Sequence, residues 1–385
     1  MNNKNSTRRN FLKLAGGVAV INVASHYTVS ASNILSQTEI HPTGTLQLSE
    51  VRNDMLAYCE SLRDLHGPYG CYRSELLGRP DLYSSLDIAL MMGIIRVNLK
   101  ESLTKQQMGQ WVNHINSFAN NDFGNATDGS YFDTFGHSTL HANGMVIGAL
   151  NMLGGKQRFP VKLYDDFNTE AKIITWLESL NWSRQWQASH KFWGGMVCFS
   201  FSNACPAGWL DKVFDWLDTN ADPETGWWRK GTQYADRHQP LGGSVHIFPL
   251  YEHHNRKLPF PEKVIDSVLS LQLENGRWLQ TNNINIMHYL ELDALYAFHL
   301  SKKMVPGYRE KDIAASVDKY SKAVLDYYRE HKRELYKLHP HWVLAAVGTF
   351  GLLQRLNPVV FSDNRQWTDI FSDLQLHLTK NVEVL

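Results

Sequence analysis

The 385-residue sequence has no excess of charge of either sign and no long apolar run, and each absence excludes a class of function. Lys and Arg number 38 and Asp and Glu number 38, so the formal net charge is zero. A nucleic-acid-binding surface needs a basic excess to release counterions. No apolar run reaches the roughly 20 residues that span a bilayer. We therefore expect neither a nucleic-acid partner nor stable membrane insertion.

Cysteines and cofactor motifs are also scarce. The chain has four cysteines, too few for a disulfide scaffold. In an oxidising compartment Cys59 with Cys71, or Cys198 with Cys205, could pair; buried free thiols are the alternative. The sequence has no glycine-rich dinucleotide motif, no P-loop and no Cys-x-x-Cys motif, and we expect no cofactor.

Aromatic residues and histidines, by contrast, are abundant. The chain contains 12 Trp, 16 Tyr, 17 Phe and 17 His. Its 43% hydrophobic and 20% charged residues are typical of a globular protein. Aromatic faces beside uncharged titratable groups suit sugar recognition and proton transfer better than ionic partners.

The N-terminus has the three features of a twin-arginine (Tat) export signal in the right order. Arg8-Arg9 precedes a short, weakly hydrophobic stretch at residues 14–21, and Val29-Ser30-Ala31 forms a small-x-small cleavage site. A frayed basic helix is the alternative. We predict a Tat signal at residues 1–31, recognised by the Tat export machinery, and a periplasmic or secreted mature protein. Residues 32–385 contain no Pro/Ser-rich linker or charge block, so we predict a single catalytic domain there.

Helical periodicity dominates this domain. Residues 311–333 form an amphipathic, charged pattern that suits an outer helix, whereas residues 141–150 and 342–351 are apolar all round, as buried helices are. Apolar residues recur at three- and four-residue spacing in ten segments: 51–62, 86–97, 108–118, 145–153, 171–180, 210–217, 264–273, 286–300, 313–328 and 342–356.

A glycine turn followed by an aromatic residue recurs along the chain. The copies are Gly129 with Tyr131, Gly226 with Trp228 and Gly276 with Trp278, and Gly70 with Tyr72 is a weaker copy. Gly226 and Gly276 are 50 residues apart, a period typical of helical repeats. The pattern predicts an all-α fold, an (α/α) toroid of six to seven helical hairpins whose inner helices converge on a central cleft.

The first candidate segment of this cleft surrounds His137, His141 and Asn143. His137 and His141 are four residues apart and would share a helix face. A zinc pair is conceivable, but the glutamate of the His-Glu-x-x-His motif is absent and no third ligand is evident, so we expect no metal. We expect His137 to be a core histidine bonded to a backbone carbonyl. His141 beside Asn143 is a candidate catalytic pair.

The second segment joins two adjacent tryptophans to basic residues. Trp227 and Trp228 follow Gly226, and we expect at least one of them to be exposed and to stack on a sugar ring. Nearby basic side chains could hold carboxylates, and Tyr234 is a candidate acid or base. A turn with solvated charges is the alternative. The basic candidates are Arg229, Lys230 and Arg237.

The third segment places His246 after a pair of glycines. Gly242 and Gly243 permit a close backbone approach at a helix entrance. We expect the side chain of His246 to point toward the group that approaches the backbone there. His253 and His254, further along the chain, are expected at the surface.

The fourth segment combines amide, imidazole and phenol groups at the start of a buried helix. Asn282 and Asn283 are candidate substrate-binding residues, and His288 and Tyr289 are candidate catalytic residues. An Asn-rich loop that caps a helix is the alternative.

Together, these Asn, His, Tyr and Arg residues suit proton abstraction next to a carboxylate. Donors that neutralise the carboxylate of a uronic acid stabilise the enediolate-like intermediate, and His or Tyr removes the proton and returns one to the leaving oxygen.

The predicted toroid, the entrance at His141 and Asn143, and the stretch from Asn282-Asn283 to His288-Tyr289 resemble (α/α)-toroid uronate lyases, including alginate and glucuronan lyases. The resemblance implies β-elimination on an anionic polysaccharide or oligosaccharide, with an Asn/Gln or Arg neutraliser and a His/Tyr pair. It leaves base and acid open between Tyr289, Tyr234 and the histidines.

Two other functions stay open. A toroidal glycoside hydrolase acting on uronyl oligosaccharides needs two carboxylates across the scissile bond, which Asp133 with Glu291 or Asp293 could supply. A non-catalytic glycan-binding protein would use the tryptophans alone. The candidate entrances are richer in His and Asn than in carboxylates, which favours the lyase.

Overall fold

The fold is described from a computed structural model of the chain for residues 44–120, 128–281, 285–374 and 382–384. These residues belong to one compact unit that spans residues 38–385. The predicted export signal at residues 1–31 lies outside the described residues, as do Asn282 and Asn283.

The protein is predominantly helical. Helices account for 59% and strands for 4% of the structure, which confirms the all-α class. Strands β1 (Leu46–Gln47) and β2 (Phe361–Ser362) form a two-stranded parallel pair with Leu46 opposite Phe361. The α-helices are α1 Leu48–Leu62, α2 Leu82–Ile94, α3 Leu99–Ser102, α4 Lys105–Ser117, α5 Thr139–Leu153, α6 Glu170–Ser179, α7 Gln185–Lys191, α8 Cys198–Ser200, α9 Trp209–Asn220, α10 Gln239–Ser244, α11 Phe248–His253, α12 Pro261–Leu271, α13 Tyr289–Met304, α14 Glu310–Leu335 and α15 Pro340–Leu356. Turns of 3₁₀-helix at Phe118–Asn120 and Trp182–Arg184 and of π-helix at Phe192–Val197 and Ile370–Leu374 complete the helical elements.

All ten segments with helical periodicity overlap an observed helix. Helix α14 buries Ile313, Val317, Tyr320 and Val324, which share one face, and exposes charged residues on the other. Helices α5 and α15 are buried almost throughout, as their apolar composition predicts. Within the described ranges, no helix combines the length and the apolar character needed to cross a membrane.

The helices that the periodicity misses are short, and α10 is also rich in helix-breaking residues. Helix α10 contains Pro240, Gly242 and Gly243, which have low helix propensity. Its glycines are needed because α10 packs directly on α7. A Cβ atom on Gly242 would lie 2.5 Å from the ring of Trp186, and one on Gly243 would lie 2.3 Å from the side chain of Gln185. The expected close backbone approach at this glycine pair is therefore present.

The recurring glycine turn is also present. Gly129, Gly226 and Gly276 have φ angles of 76°, 77° and 87°, values that favour glycine over residues with a Cβ. The aromatic residue two positions later is buried in each copy: Tyr131, Trp228 and Trp278. Each turn thus anchors a connection between helices to the core through an aromatic ring.

All four cysteines are unpaired. Cys59, Cys71 and Cys198 are buried, and Cys205 is half-buried. Burial raises the pKa of the Cys198 thiol to about 12, so this group is protonated and unreactive at neutral pH. Of the two alternatives, the structure has buried free thiols rather than disulfides.

Candidate functional site

Residues from several helices face one cavity of about 220 Å³. Its described lining contains no lysine or arginine and one carboxylate, that of Asp293. Imidazole and aromatic rings dominate the wall. The lining residues that carry polar groups or large rings are His137 and His141 from the start of α5 and the loop before it, Trp186, His190 and Trp193 from α7 and the following π-helix, His246 after α10, His288, Tyr289 and Asp293 around α13, and His341 and Trp342 from α15.

Five imidazoles form a histidine cluster in this cavity: His137, His141, His190, His246 and His341. The ring centroid of His137 is 4.6 Å from that of His141, 4.3 Å from that of His190 and 4.9 Å from that of His341. The ring of His246 is 5.7 Å from that of His190. In the part of the chain that is described, no three His, Cys, Asp or Glu side chains form a group that could hold a metal ion.

Helix α2 lies behind the cluster and holds two of its rings through their Nδ1 atoms. Nδ1 of His341 lies 3.2 Å from both carboxylate oxygens of Asp87, and Nδ1 of His141 lies 2.8 Å from the hydroxyl of Tyr83. Tyr83 and Asp87 are four residues apart and so lie on one face of α2. Both rings are therefore oriented from outside the cavity, with Nε2 as the nitrogen further from α2.

The ring of His246 has a defined tautomer. Its Nδ1 lies 3.2 Å from the carbonyl oxygen of Gly242 and 3.0 Å from the hydroxyl of Ser189. A carbonyl oxygen can only accept, so Nδ1 carries the proton and Nε2 carries a lone pair. In this tautomer Nε2 is the nitrogen at which the ring can accept a proton.

Burial keeps the cluster uncharged at neutral pH. Desolvation, reinforced by neighbouring imidazoles, lowers the pKa of His137, His190 and His246 to about 3. The same cause lowers the pKa of His141 well below 6.5. Burial raises the pKa of the Asp293 carboxyl well above its ordinary value. The cavity therefore offers neutral bases in an apolar setting.

Tryptophans form flat walls beside these bases. The ring of Trp342 is 4.8 Å from that of His288, and the ring of Trp193 is 5.4 Å from that of His141. Trp342 and Trp186 are half-buried, so part of each ring stays accessible. An aromatic face next to polar groups is a surface on which the apolar face of a sugar ring can pack.

Four of the candidate catalytic residues meet in this cavity: His141, His246, His288 and Tyr289. The Tyr289 hydroxyl donates a hydrogen bond of 2.7 Å to the backbone carbonyl of His341. Burial raises the pKa of Tyr289 well above 10. This residue is therefore a phenol at neutral pH, and the histidines are the available bases.

Asn143 and Tyr234 do not line the cavity. Asn143 is fully buried, and residues two apart on a helix point to different faces, so the helix that brings His141 to the cavity turns Asn143 away. The Tyr234 hydroxyl donates to the carbonyl of Trp228, and neither residue is among those that line the cavity. Asn282 and Asn283 lie outside the described residues.

The expectation that Trp227 or Trp228 is exposed is wrong. Trp227 is 4% and Trp228 0% exposed. The turn lies between helices: Trp228 Nε1 donates to the carbonyl of Leu217 in α9 at 2.9 Å, and Ser267 in α12 donates to the carbonyl of Thr225 at 2.7 Å. Because both sides of the turn are covered, adjacent side chains can both be buried.

The basic residues near this turn do not reach the cavity either. Arg229 forms an ion pair with Glu178 at 2.6 Å and lies over the ring of Trp216. Arg237 donates to the carbonyl of Leu271 at the end of α12, at 2.9 Å. Lys230 is exposed. None of the three is among the lining residues, and the side chains of Arg229 and Arg237 instead contact neighbouring helices.

The expected core role of His137 is also wrong. Its Nε2 lies 2.9 Å from Nε2 of His341, so its partner is another imidazole of the cluster rather than a backbone carbonyl. His253 and His254, expected at the surface, are half-buried and outside the cavity.

The candidates that sequence reasoning missed are His190 and His341, with Tyr83 and Asp87 behind them. A signal for His341 was present: it occupies the first turn of a buried helix, as His141 does. His190 lies at the end of a short helix without apolar periodicity, and nothing in the local sequence marks it.

Comparison of the chain with protein-family models, with curated proteins and with solved structures finds no match.

Proposed function

We propose that the protein is a polysaccharide lyase that cleaves a uronic-acid-containing polysaccharide of the alginate or glucuronan type by β-elimination, and that the histidine cluster is its active site. In this proposal the chain is exported by the Tat pathway and acts in the periplasm or outside the cell. The arrangement that carries the proposal is a set of neutral, oriented imidazoles beside tryptophan walls in one cavity.

The helical packing supports a toroidal fold for this enzyme. Helix α2 packs on α5, α5 on the π-helix that continues α7, α7 on α10, α10 on α13, α13 on α15, and α15 on α2 again. These contacts form a closed cycle. Every helix of this cycle except α10 contains a residue that lines the cavity or bonds to a lining residue. Helix α10 contributes through His246, which lines the cavity and lies two residues after the end of the helix. We propose that these helices are the inner ring of an (α/α) toroid.

The chemistry follows from the tautomer of His246. Its Nε2 lone pair removes the proton at C5 of the uronic acid, the C4–O bond breaks as the C4=C5 double bond forms, and the leaving oxygen takes a proton from a neighbouring donor. A second imidazole of the cluster is the donor in reach of the cavity, and Tyr289 can serve only after its hydroxyl leaves the backbone carbonyl of His341. The substrate's carboxylate raises the pKa of imidazoles around it, so the cluster becomes a source of positive charge when the anion binds.

The volume of the cavity favours action at a chain end. Sites for drug-sized ligands measure about 300–1,000 Å³, whereas this cavity has about 220 Å³. It therefore suits one terminal sugar unit rather than an internal stretch of polymer.

The carboxylates considered for a hydrolase are not paired across the cavity. Asp133 accepts hydrogen bonds from the backbone N–H groups of Phe135 and Gly136. Glu291 is buried against Arg277 and accepts from the N–H of Leu279 at 3.0 Å. Asp293 lines the cavity without either of them. The structure thus offers the hydrolase no second carboxylate among the described lining residues.

The test is a screen of the purified protein on alginate, glucuronan and glycosaminoglycans and on oligosaccharides from each. A lyase produces an unsaturated uronate that absorbs in the ultraviolet, and we expect this absorbance to appear faster on oligosaccharides than on long polymer. New reducing ends without the absorbance, lost in Asp293→Asn, would instead identify a hydrolase. Binding without either product would identify a glycan-binding protein.

A further inference from the structure

Two rings of the histidine cluster are bonded to each other and to a carboxyl group behind them. The Nε2 atoms of His137 and His341 are 2.9 Å apart, so one nitrogen donates a proton and the other accepts it. Nδ1 of His341 lies 3.2 Å from both side-chain oxygens of Asp87 in α2. The three side chains thus form one hydrogen-bonded chain that runs from the interior to the cavity.

The inner end of this chain fixes the direction of its hydrogen bonds. Asp87 is fully buried, and burial lowers the pKa of its partner His341 to about 3, so an ionised carboxylate would face a neutral ring. Burial also raises the pKa of the Asp87 carboxyl well above its ordinary value. The protonated carboxyl therefore donates to Nδ1 of His341, and the ring proton of His341 is on Nε2.

The outer end of the chain carries a proton that the chain itself does not use. Because His341 donates from Nε2, Nε2 of His137 accepts. A neutral imidazole whose Nε2 accepts has its proton on Nδ1. His137 is half-buried and lines the cavity. The cavity wall therefore includes a ring whose donor N–H is backed by a second imidazole and a carboxyl group.

We propose that Asp87, His341 and His137 form a proton relay that protonates the leaving oxygen of the substrate. In this relay His137 is the catalytic acid, and His341 and Asp87 are positioning residues that act through it. The use of the relay in β-elimination rests on the proposed function. The arrangement of its protons does not.

The proton transfers balance in atoms and charge. As His246 takes the proton from C5 and the C4–O bond breaks, the leaving oxygen takes the Nδ1 proton of His137. Nε2 of His137 then takes the proton of His341, and Nδ1 of His341 takes that of Asp87. The relay ends with one negative charge, on the Asp87 carboxylate, and His246 ends with one positive charge.

The relay is reset when the proton on His246 returns to it. The ring of His190 is 5.7 Å from that of His246 and 4.3 Å from that of His137, so it is next to both the base and the acid. The two charges are opposite and arise in the same cavity, which limits the cost of separating them in an apolar setting.

The first experiment reads the proton positions without any substrate. The full chain is labelled with ¹⁵N-histidine, and its NMR spectrum at neutral pH is assigned with His137→Gln and His341→Gln. We expect His137 to be protonated on Nδ1 and His341 on Nε2. Asp87→Asn should keep this pattern, because the amide N–H donates to the same Nδ1. A proton on Nδ1 of His341 in the unsubstituted protein would overturn the proposal.

The second experiment asks whether the relay delivers a proton. Initial rates are compared on a uronate oligosaccharide and on the same uronate with fluorine at C4, since fluoride leaves without needing a proton. Asp87→Asn keeps the hydrogen bonds but cannot release a proton. We expect Asp87→Asn and His137→Gln to lower kcat on the oligosaccharide about 10²-fold or more, with KM changed little, and to act on the fluoride at nearly the unsubstituted rate.

The matched control is Asp54→Asn, because Asp54 accepts a hydrogen bond from Tyr328 at 2.8 Å and is not among the lining residues. Circular dichroism shows whether each variant is folded, and the NMR result on the unsubstituted protein stands where a variant is not. Equal losses on both substrates, or full activity of Asp87→Asn on the oligosaccharide, would overturn the relay. Absence of the unsaturated product from the unsubstituted protein on both substrates would instead contradict the proposed function, and the tautomers would still decide whether the proton arrangement exists.

Discussion

Two regions of the molecule look equally functional in sequence and differ sharply in structure. The paired-tryptophan turn, residues 226–229, combines aromatic and basic side chains, and the histidine cluster combines five imidazoles. In the turn, Trp228 Nε1 bonds to the carbonyl of Leu217 and Arg229 pairs with Glu178. In the cluster, buried and half-buried rings face one another around a cavity.

The difference shows what separates a structural polar group from a candidate functional one. A buried donor whose acceptor belongs to the same protein stabilises the fold. The His246 ring uses Nδ1 in this way, and in the proposed mechanism it acts through Nε2. The turn therefore holds helices together, while the rings of the cluster line a cavity.

The largest expected effect is on stability, at the turn. Trp228→Ala removes a fully buried ring that stacks on Tyr251 at 5.7 Å, and Trp→Ala changes in cores cost about 3–5 kcal/mol. Urea unfolding monitored by circular dichroism measures this loss. Activity per folded molecule should be unchanged. A stable Trp228→Ala protein that no longer acts on its substrate would give the turn a functional role.

The next effect is a dependence of stability on pH that originates in the cluster. Burial holds the pKa of His141 well below 6.5, so the unfolded chain takes up the proton first as the pH falls. Below about pH 6.5 this residue alone lowers the free energy of unfolding by up to about 1.4 kcal/mol for each unit by which the pH falls. His141→Gln removes this contribution.

The measurement is the unfolding free energy of both proteins at several values between pH 7 and pH 5. The unsubstituted protein should lose more stability than His141→Gln over this range. Equal slopes for the two proteins would contradict a buried, neutral His141.

A smaller effect is expected for the tryptophan wall of the cavity. Trp342→Ala removes a half-buried ring next to His288, and aromatic contacts of this kind contribute about 0.5–1.5 kcal/mol. Steady-state kinetics should show a KM raised about 2–10-fold, with kcat changed less. An unchanged KM would remove this ring from the substrate site.

The smallest effect is expected for the basic residues beside the turn. Arg229→Ala breaks an exposed ion pair with Glu178, which is worth about 0–1 kcal/mol, and Lys230→Ala removes an exposed charge. Neither should alter KM for an anionic substrate. A marked rise of KM in either variant, with stability retained, would restore the basic patch as a binding surface.

The sequence predicts the helices and the recurring turns well because both depend on local pattern. Apolar spacing identifies α14 and α15, and glycine followed by an aromatic residue identifies the turn at Gly226. Which polar residues meet is a non-local property. The sequence patterns around His141 and Trp227 both indicate a functional site. The turn that contains Trp227 is instead buried between α9 and α12, and this burial depends on tertiary packing.

The site was predicted in part for the same reason. His141, His246 and Tyr289 lie at ends of buried segments, a position that sequence can recognise. His190 belongs to a short helix without apolar periodicity, and its proximity to His137 depends on the packing of α7 against α5. Tertiary packing alone brings such residues together.

The most direct test of the histidine cluster as the active site compares one substitution at two places. His246→Gln changes a ring that lines the cavity, whereas His254→Gln changes a ring that stacks on Phe201 outside it. Initial rates of ultraviolet absorbance are measured on the best uronate substrate, with folding verified for both variants. We predict that His246→Gln loses activity about 10²–10⁴-fold and that His254→Gln keeps it. Equal activity in the two variants, or loss in His254→Gln alone, would contradict the assignment of the active site.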